Sequence, residues 1–202
     1  MKQKSVYGHT NIDKGTAFTK FVLENQDKDA SNGLIGVEVG VRDGRNALDL
    51  CRYLNIFKLY LVDSFPPYDD IARIWTEEDQ EIELQKLVKN TDHIFNKVVL
   101  IRQDSKLARD IFPIGIFDFV YIDGNHAYES VKEDLLWYNH VKEGGIFGGH
   151  DYGSAWGGDV KKAVDEFALE NKLEVIRLGG RVRIPPDGAG GVEWAIIKPK
   201  IG

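Results

Sequence analysis

Thiols are almost missing from this sequence. Cys51 is the single cysteine among 202 residues, so no internal disulfide can form and the chain fits a reducing compartment. No stretch of about 18 apolar residues exists, which argues against a membrane-spanning helix. Met1-Lys2-Gln3-Lys4-Ser5 lacks the apolar segment of a secretory signal, so the expected location is cytoplasmic. Runs of lysine or arginine are missing, and the formal net charge is −6, so nothing marks the basic stripe that follows a nucleic-acid backbone. Repeats and low-complexity segments are absent too. What is present is an ordinary globular composition, 43% hydrophobic and 29% charged, at a length suited to one domain.

Hydrophobic spacing divides the chain into alternating elements. Residues 16–25 have helical spacing, with Phe18, Phe21 and Val22 on one side. Residues 33–40 form a short apolar run bounded by glycines, the pattern of a buried parallel strand. Further strands are expected at 57–62, 97–101, 116–122 and 145–148, and helices at 45–54, 77–95, 105–111, 127–140 and 158–170. Cys51 falls in the 45–54 helix and reads as a small core residue. Residues 64–79 read as irregular. Two strands, 173–178 and 191–197, close the chain around a loop rich in glycine, proline and arginine. This alternation predicts an α/β fold: a Rossmann-like, doubly wound sheet of seven strands, mostly parallel, with an antiparallel C-terminal strand. The last two strands, with no helix between them, are expected to pair as an antiparallel hairpin at one edge. One domain is expected over 1–202, with a helical N-terminal segment up to residue 32 and a core over 33–198.

In such sheets ligands bind beyond the carboxyl ends of the strands. The first strand ends in Glu38-Val39-Gly40-Val41-Arg42-Asp43-Gly44, an E-x-G-x-x-x-G turn that opens a helix. Glycine lets a ligand approach main-chain N–H groups, and a helix N-terminus favours negative charge. The spacing is not G-x-G-x-x-G: Arg42 stands where a second glycine would, which disfavours a pyrophosphate-bearing dinucleotide. Asp63 ends the second strand, where a carboxylate can accept two hydrogen bonds from a ribose diol. After the third strand, Asp104 could meet an adenine amino group, or Asp104 or Ser105 could cap the helix that follows. The fourth and fifth strands end in Asp123-Gly124-Asn125-His126 and Gly149-His150-Asp151, which should be neighbours. Two carboxylates and an imidazole suit Mg²⁺, Mn²⁺ or Ca²⁺. His126 is left over, and an imidazole titrating near neutrality suits a general base.

At these residues the sequence resembles the class I S-adenosylmethionine-dependent methyltransferases over roughly residues 33–198. The segment from Phe117 to Tyr128, followed by Gly144 to Asp151, is similar to methyltransferase family 24 and its relatives, among them catechol-type and sugar O-methyltransferases. The resemblance implies S-adenosylmethionine at Glu38, Gly40, Gly44, Asp63, Ser64, Asp104, Ser105 and Asp123. It implies a divalent cation, Mg²⁺ first, at Asp123, His150 and Asp151, and His126 as the base beside Asp123. His150 stands where those enzymes carry an acidic residue, which leaves the metal's identity open.

The implied reaction is O-methylation of a small-molecule hydroxyl: a sugar, polyketide or phenol. Residues 65–75, Tyr7 and the N-terminal segment are the expected lid and acceptor wall, and Trp156 could line the same pocket. Alternatives are a cofactor-binding relative with other chemistry or no catalysis, and a nicotinamide-dependent oxidoreductase. No nucleic-acid or membrane partner is expected. The C-terminal edge strands offer a surface for a homo-oligomer.

Overall fold

The computed structural model describes residues 15–26, 32–69, 74–153, 158–179 and 192–200. Tyr7, Trp156 and the loop before the last strand lie outside the described residues. In chain order the elements are α1 (Ala17–Asn25), β1 (Leu34–Val39), α2 (Arg45–Tyr53), β2 (Ile56–Val62), β3 (Tyr68–Asp69), β4 (Ile74–Trp75), α3 (Glu77–Thr91), β5 (Val98–Ile101), α4 (Ser105–Arg109), β6 (Phe117–Ile122), α5 (Tyr128–Leu135), β7 (Val141–Gly149), α6 (Gly158–Glu170), β8 (Ile176–Leu178) and β9 (Glu193–Ile197). Seven strands form one sheet in the order β5-β2-β1-β6-β7-β9-β8. The β2–β5, β1–β2, β1–β6 and β6–β7 pairings are parallel.

The doubly wound α/β architecture expected from the alternation is therefore present. The last two strands pair antiparallel at one edge of the sheet, as expected, with β9 against β7 and β8 outermost. The reason lies in β9 itself: Trp194, Ala195 and Ile196 are all buried, and a strand with two apolar faces belongs inside a sheet. Residues 64–79, read as irregular, contain the small antiparallel pair β3–β4. The expected helices at 77–95 and 127–140 each end early and continue as a short 3₁₀ turn, Asp92–Ile94 and Leu136–His140.

Side chains alternate across the sheet, so each face meets its own helices. Leu34, Leu59, Leu61, Phe119 and Tyr121 pack with Phe18, Ala47, Leu50 and Leu87 from α1, α2 and α3. Val37, Val39, Val62, Val120 and Phe147 pack on the other face with Ala108, Val131, Leu135 and Val164 from α4, α5 and α6. α1 is part of the first layer. Thr16 caps it by accepting from Thr19 N at 3.1 Å, and Asp49 of α2 accepts from Thr16 N at 2.8 Å. Phe18 is fully buried, worth about 2–3 kcal/mol on transfer grounds. It lies where a Cβ on Gly148 would stand, so the glycine lets α1 approach β7. No helix among the described residues is long and apolar enough to cross a membrane.

Candidate active site

The parallel strands β1, β2, β5, β6 and β7 run the same way, so their carboxyl ends share one edge of the sheet. At β1 the chain turns at Gly40, with φ +82°. A Cβ there would run into the backbone of Asp123, so the glycine brings the β1 turn hard against the end of β6. Gly44, also at positive φ, starts α2 and packs against Leu87 of α3. Both glycines thus serve close packing within the protein.

Asp63 holds this turn in shape. Its Oδ2 accepts from Val41 N at 2.9 Å and Arg42 N at 3.0 Å, and its Oδ1 accepts from Phe65 N at 2.7 Å. A carboxylate offers about four acceptor positions. Three are used here, which leaves room for one ribose hydroxyl where the sequence suggested two. Ser64 beside it is exposed. Asp104 caps α4 through Oδ1, which accepts from Lys106 N at 3.0 Å. The capping reading therefore holds, and it leaves Oδ2 for a ligand. The Ser105 hydroxyl accepts from Trp137 Nε1 at 2.8 Å and is turned into the protein.

Glu38 is buried below the turn. Its Oε1 accepts from Asn46 Nδ2 at 3.2 Å, and Oε2 has no partner among the described residues. Burial raises its carboxyl well above the usual range, opposed by Asn46 and reinforced by the negative charges of Asp123, Asp63 and Asp43. The crevice is thus acidic at the ends of β1, β2 and β6. That field repels phosphate and favours a cationic ligand.

Next to it the four residues read from β6 and β7 meet. His126 Nε2 lies 3.0 Å from Asp151 Oδ2 and 4.0 Å from Asp123 Oδ1. His150 Nδ1 lies 3.1 Å from Asp151 Oδ2 and 3.8 Å from Asp123 Oδ1. Asp151 has φ +58°, a left-handed conformation that turns its carboxylate back between the two rings. Ligand atoms of Asp123, His150 and Asp151 all lie within 4.8 Å of one another, close enough for one ion to touch all three. The donor set of two oxygens and one imidazole nitrogen fits a divalent cation.

Asp123 and Asp151 raise His126 to about 10. Burial works against charge on His150, but Asp151 and Asp123 outweigh it and lift the ring to about 9. Burial likewise opposes the charge on Asp151, yet the two imidazoles hold its carboxyl well below the usual range. Burial dominates at Asp123 and raises it.

These shifts set a pH dependence for the ion-free protein. A histidine whose folded value exceeds its unfolded value of about 6.5 contributes stability that is complete below about 6.5 and lost as pH rises through its folded value. In EDTA, the melting temperature should fall between pH 6.5 and pH 10, and His126→Gln should flatten that decline. An equal slope in both proteins would show that the imidazole carries no such charge.

Other residues here carried no sequence signal. Asn46 is set eight positions from Glu38 by the turn into α2. Trp194, from β9, lines the same recess as Asp123, His126 and His150. Phe65 and Trp75, candidates for an acceptor wall, are buried instead, with the Arg42 guanidinium 4.8 Å over the Trp75 ring.

Comparison with known proteins agrees with this geometry. Residues 37–152, more than half of the chain, match methyltransferase family 24, described as a methyltransferase domain. No curated protein matches the sequence. Among solved structures, a protein from Clostridium thermocellum assigned as an rRNA methylase is 15% identical, with a TM-score of 0.65 over 92% of this chain and 95% of its own. A Staphylococcus aureus protein assigned as a caffeoyl-CoA O-methyltransferase is 12% identical, with a TM-score of 0.63 over 96% and 85%. A methyltransferase assigned in Streptococcus mutans, solved with S-adenosylhomocysteine, is 16% identical, with a TM-score of 0.62 over 90% and 95%. At these identities the likeness establishes the fold, and the family match establishes the rest: the chain belongs to methyltransferase family 24, among the class I S-adenosylmethionine-dependent methyltransferases.

Proposed function

We propose that this protein methylates a hydroxyl oxygen of a small molecule with the help of a divalent cation. The observation that carries the reading is the convergence of Asp123, His126, His150 and Asp151 beside the acidic crevice. S-adenosylmethionine is a sulfonium cation, which the negative charges of Asp63 and Asp43 beside the β1 turn favour. Dinucleotides carry a pyrophosphate, which the same field opposes. The net charge of −6 also favours a small acceptor over RNA.

When bound, S-adenosylmethionine supplies the electrophilic methyl group, and a cation would supply Lewis acidity towards the acceptor oxygen. Asp63 offers its remaining acceptor position to a ribose hydroxyl, and Asp104 offers Oδ2 to the adenine amino group. Asp123, His150 and Asp151 would hold the cation. A cation there would draw on both carboxylates that now bear on His126, whose Nε2 is the group placed to take the proton of the acceptor hydroxyl. Methyl transfer requires a close, collinear approach, so the remaining contribution of the protein is to align the two reactants.

Calorimetry tests the binding part. S-adenosylhomocysteine should bind at micromolar concentrations and NAD should not. Mn²⁺ should bind with a stoichiometry of one. Binding of NAD alone would return the site to oxidoreductase chemistry.

A further inference from the structure

Two of the three candidate cation ligands are fixed by the sheet itself. Asp123 N donates to Val39 O at 2.7 Å, and His150 N donates to Ile122 O at 3.0 Å. Asp151 is placed differently. It follows the last paired residues of β6 and β7, Ile122 and Gly149. Its backbone is left-handed, a conformation that persists where the surroundings enforce it. The enforcing contacts are found at the next residue. Tyr152 N donates to Val192 O at 2.8 Å, and the Tyr152 hydroxyl donates to Asp165 Oδ1, on α6, at 2.5 Å. The residue after Asp151 is thus held both by its backbone and by the tip of its ring.

Asp165 is itself held for this contact. Its second oxygen, Oδ2, accepts from Lys161, four residues earlier on the same helix. The Lys161 ammonium also lies 5.0 Å from the centre of the Tyr152 ring. Each carboxylate oxygen of Asp165 therefore has its own donor. The next position on α6 repeats the arrangement towards the other loop. Glu166 Oε2 accepts from the Tyr128 hydroxyl, and Lys162 lies 4.3 Å over the Tyr128 ring. Tyr128 opens α5, whose N-terminus has no side-chain cap. Two adjacent carboxylates of α6 thus reach the loops after β6 and β7, but only the Tyr152 arm ends beside a candidate cation ligand.

We propose that Asp165 is a positioning residue for the divalent cation: through the Tyr152 hydroxyl it holds the turn at Asp151, so that the Asp151 carboxylate stays beside Asp123 and His150. This rests on the reading that a cation binds those three residues. Asp165 acts through Tyr152, and its contribution is to set Asp151 in place before the ion arrives. Its signature is a loss confined to cation affinity, with cofactor affinity unchanged.

The test is calorimetric titration of Mn²⁺, and separately of S-adenosylhomocysteine, into wild type, Tyr152→Phe, Asp165→Ala, Asp165→Asn, the Tyr152→Phe/Asp165→Ala double variant and Tyr128→Phe. Tyr152→Phe and Asp165→Ala should each weaken Mn²⁺ binding about fivefold. The double variant should be no weaker than either, because one contact is removed twice. Asp165→Asn loses the charge but keeps an acceptor for the Tyr152 hydroxyl, and should stay within about twofold of wild type. Tyr128→Phe removes the matching contact of the other loop and should leave Mn²⁺ affinity unchanged. Wild-type affinity in Tyr152→Phe, additive losses in the double variant, or an equal loss in Tyr128→Phe would overturn the proposal. A parallel loss of S-adenosylhomocysteine binding would overturn it too, since it would show that α6 has loosened as a whole. Tyr152→Phe decides the matter even if Asp165→Ala does not fold. Absence of Mn²⁺ binding by wild type would instead overturn the cation reading, and the proposal with it.

Discussion

Asp63→Ala should cost this protein both its cofactor and a measurable part of its stability. The carboxylate accepts three backbone N–H groups, from Val41, Arg42 and Phe65, within 2.7–3.0 Å. Hydrogen bonds to a charged group contribute about 1.5–3 kcal/mol each, and lost partners on a partly exposed turn are rescued in part by water. A net loss of about 3 kcal/mol in urea unfolding is expected. The turn also carries Arg42 and Phe65 at positive φ, conformations that cost about 1 kcal/mol or more and persist only while something enforces them. Without Asp63 the turn relaxes, and S-adenosylhomocysteine should bind at least about 100-fold more weakly. An Asp63→Ala variant with wild-type affinity would mean that the cofactor contacts lie elsewhere.

Asp151→Asn should have the second large effect, on the cation and on turnover. Asparagine tolerates the left-handed backbone at this position and keeps the side-chain volume, so the comparison isolates the charge. One carboxylate oxygen of Asp151 meets both His126 and His150, and the same side chain belongs to the candidate cation set. Removing its charge should weaken Mn²⁺ binding by two orders of magnitude or so and lower turnover about 10²–10³-fold. S-adenosylhomocysteine should still bind, because Asp151 is not among the proposed cofactor contacts. Wild-type turnover in Asp151→Asn, or in EDTA, would remove the cation from the mechanism.

Much of this was legible in the sequence, and what was not has a common cause. The strand-end position of Asp63, Asp123 and Asp151 follows from apolar runs that stop at a polar residue, a local signal. So does the turn at Gly40. The insertion of β9 between β7 and β8 is not local. It depends on which sheet edge a strand finds, and only the burial of Trp194 through Ile196 reports it. Glu193 shows the same limit: it accepts from Phe18 N at 2.9 Å and from Tyr121 OH at 3.0 Å, tying α1 to the sheet across 175 positions of sequence. The electrostatics of His126 were not legible either: the sequence named the two carboxylates, but only their distances show that both bear on one imidazole.

The measurement that bears most directly on the whole account is transfer of a labelled methyl group from S-adenosylmethionine to a panel of hydroxylated acceptors (sugars, catechols and polyketides), with Mg²⁺ and with EDTA. The account predicts label on an acceptor oxygen, lost in EDTA, restored by Mg²⁺ or Mn²⁺, and lost again in His126→Asn. Label that appears on nitrogen or carbon, or transfer to oxygen that is indifferent to EDTA, would contradict it.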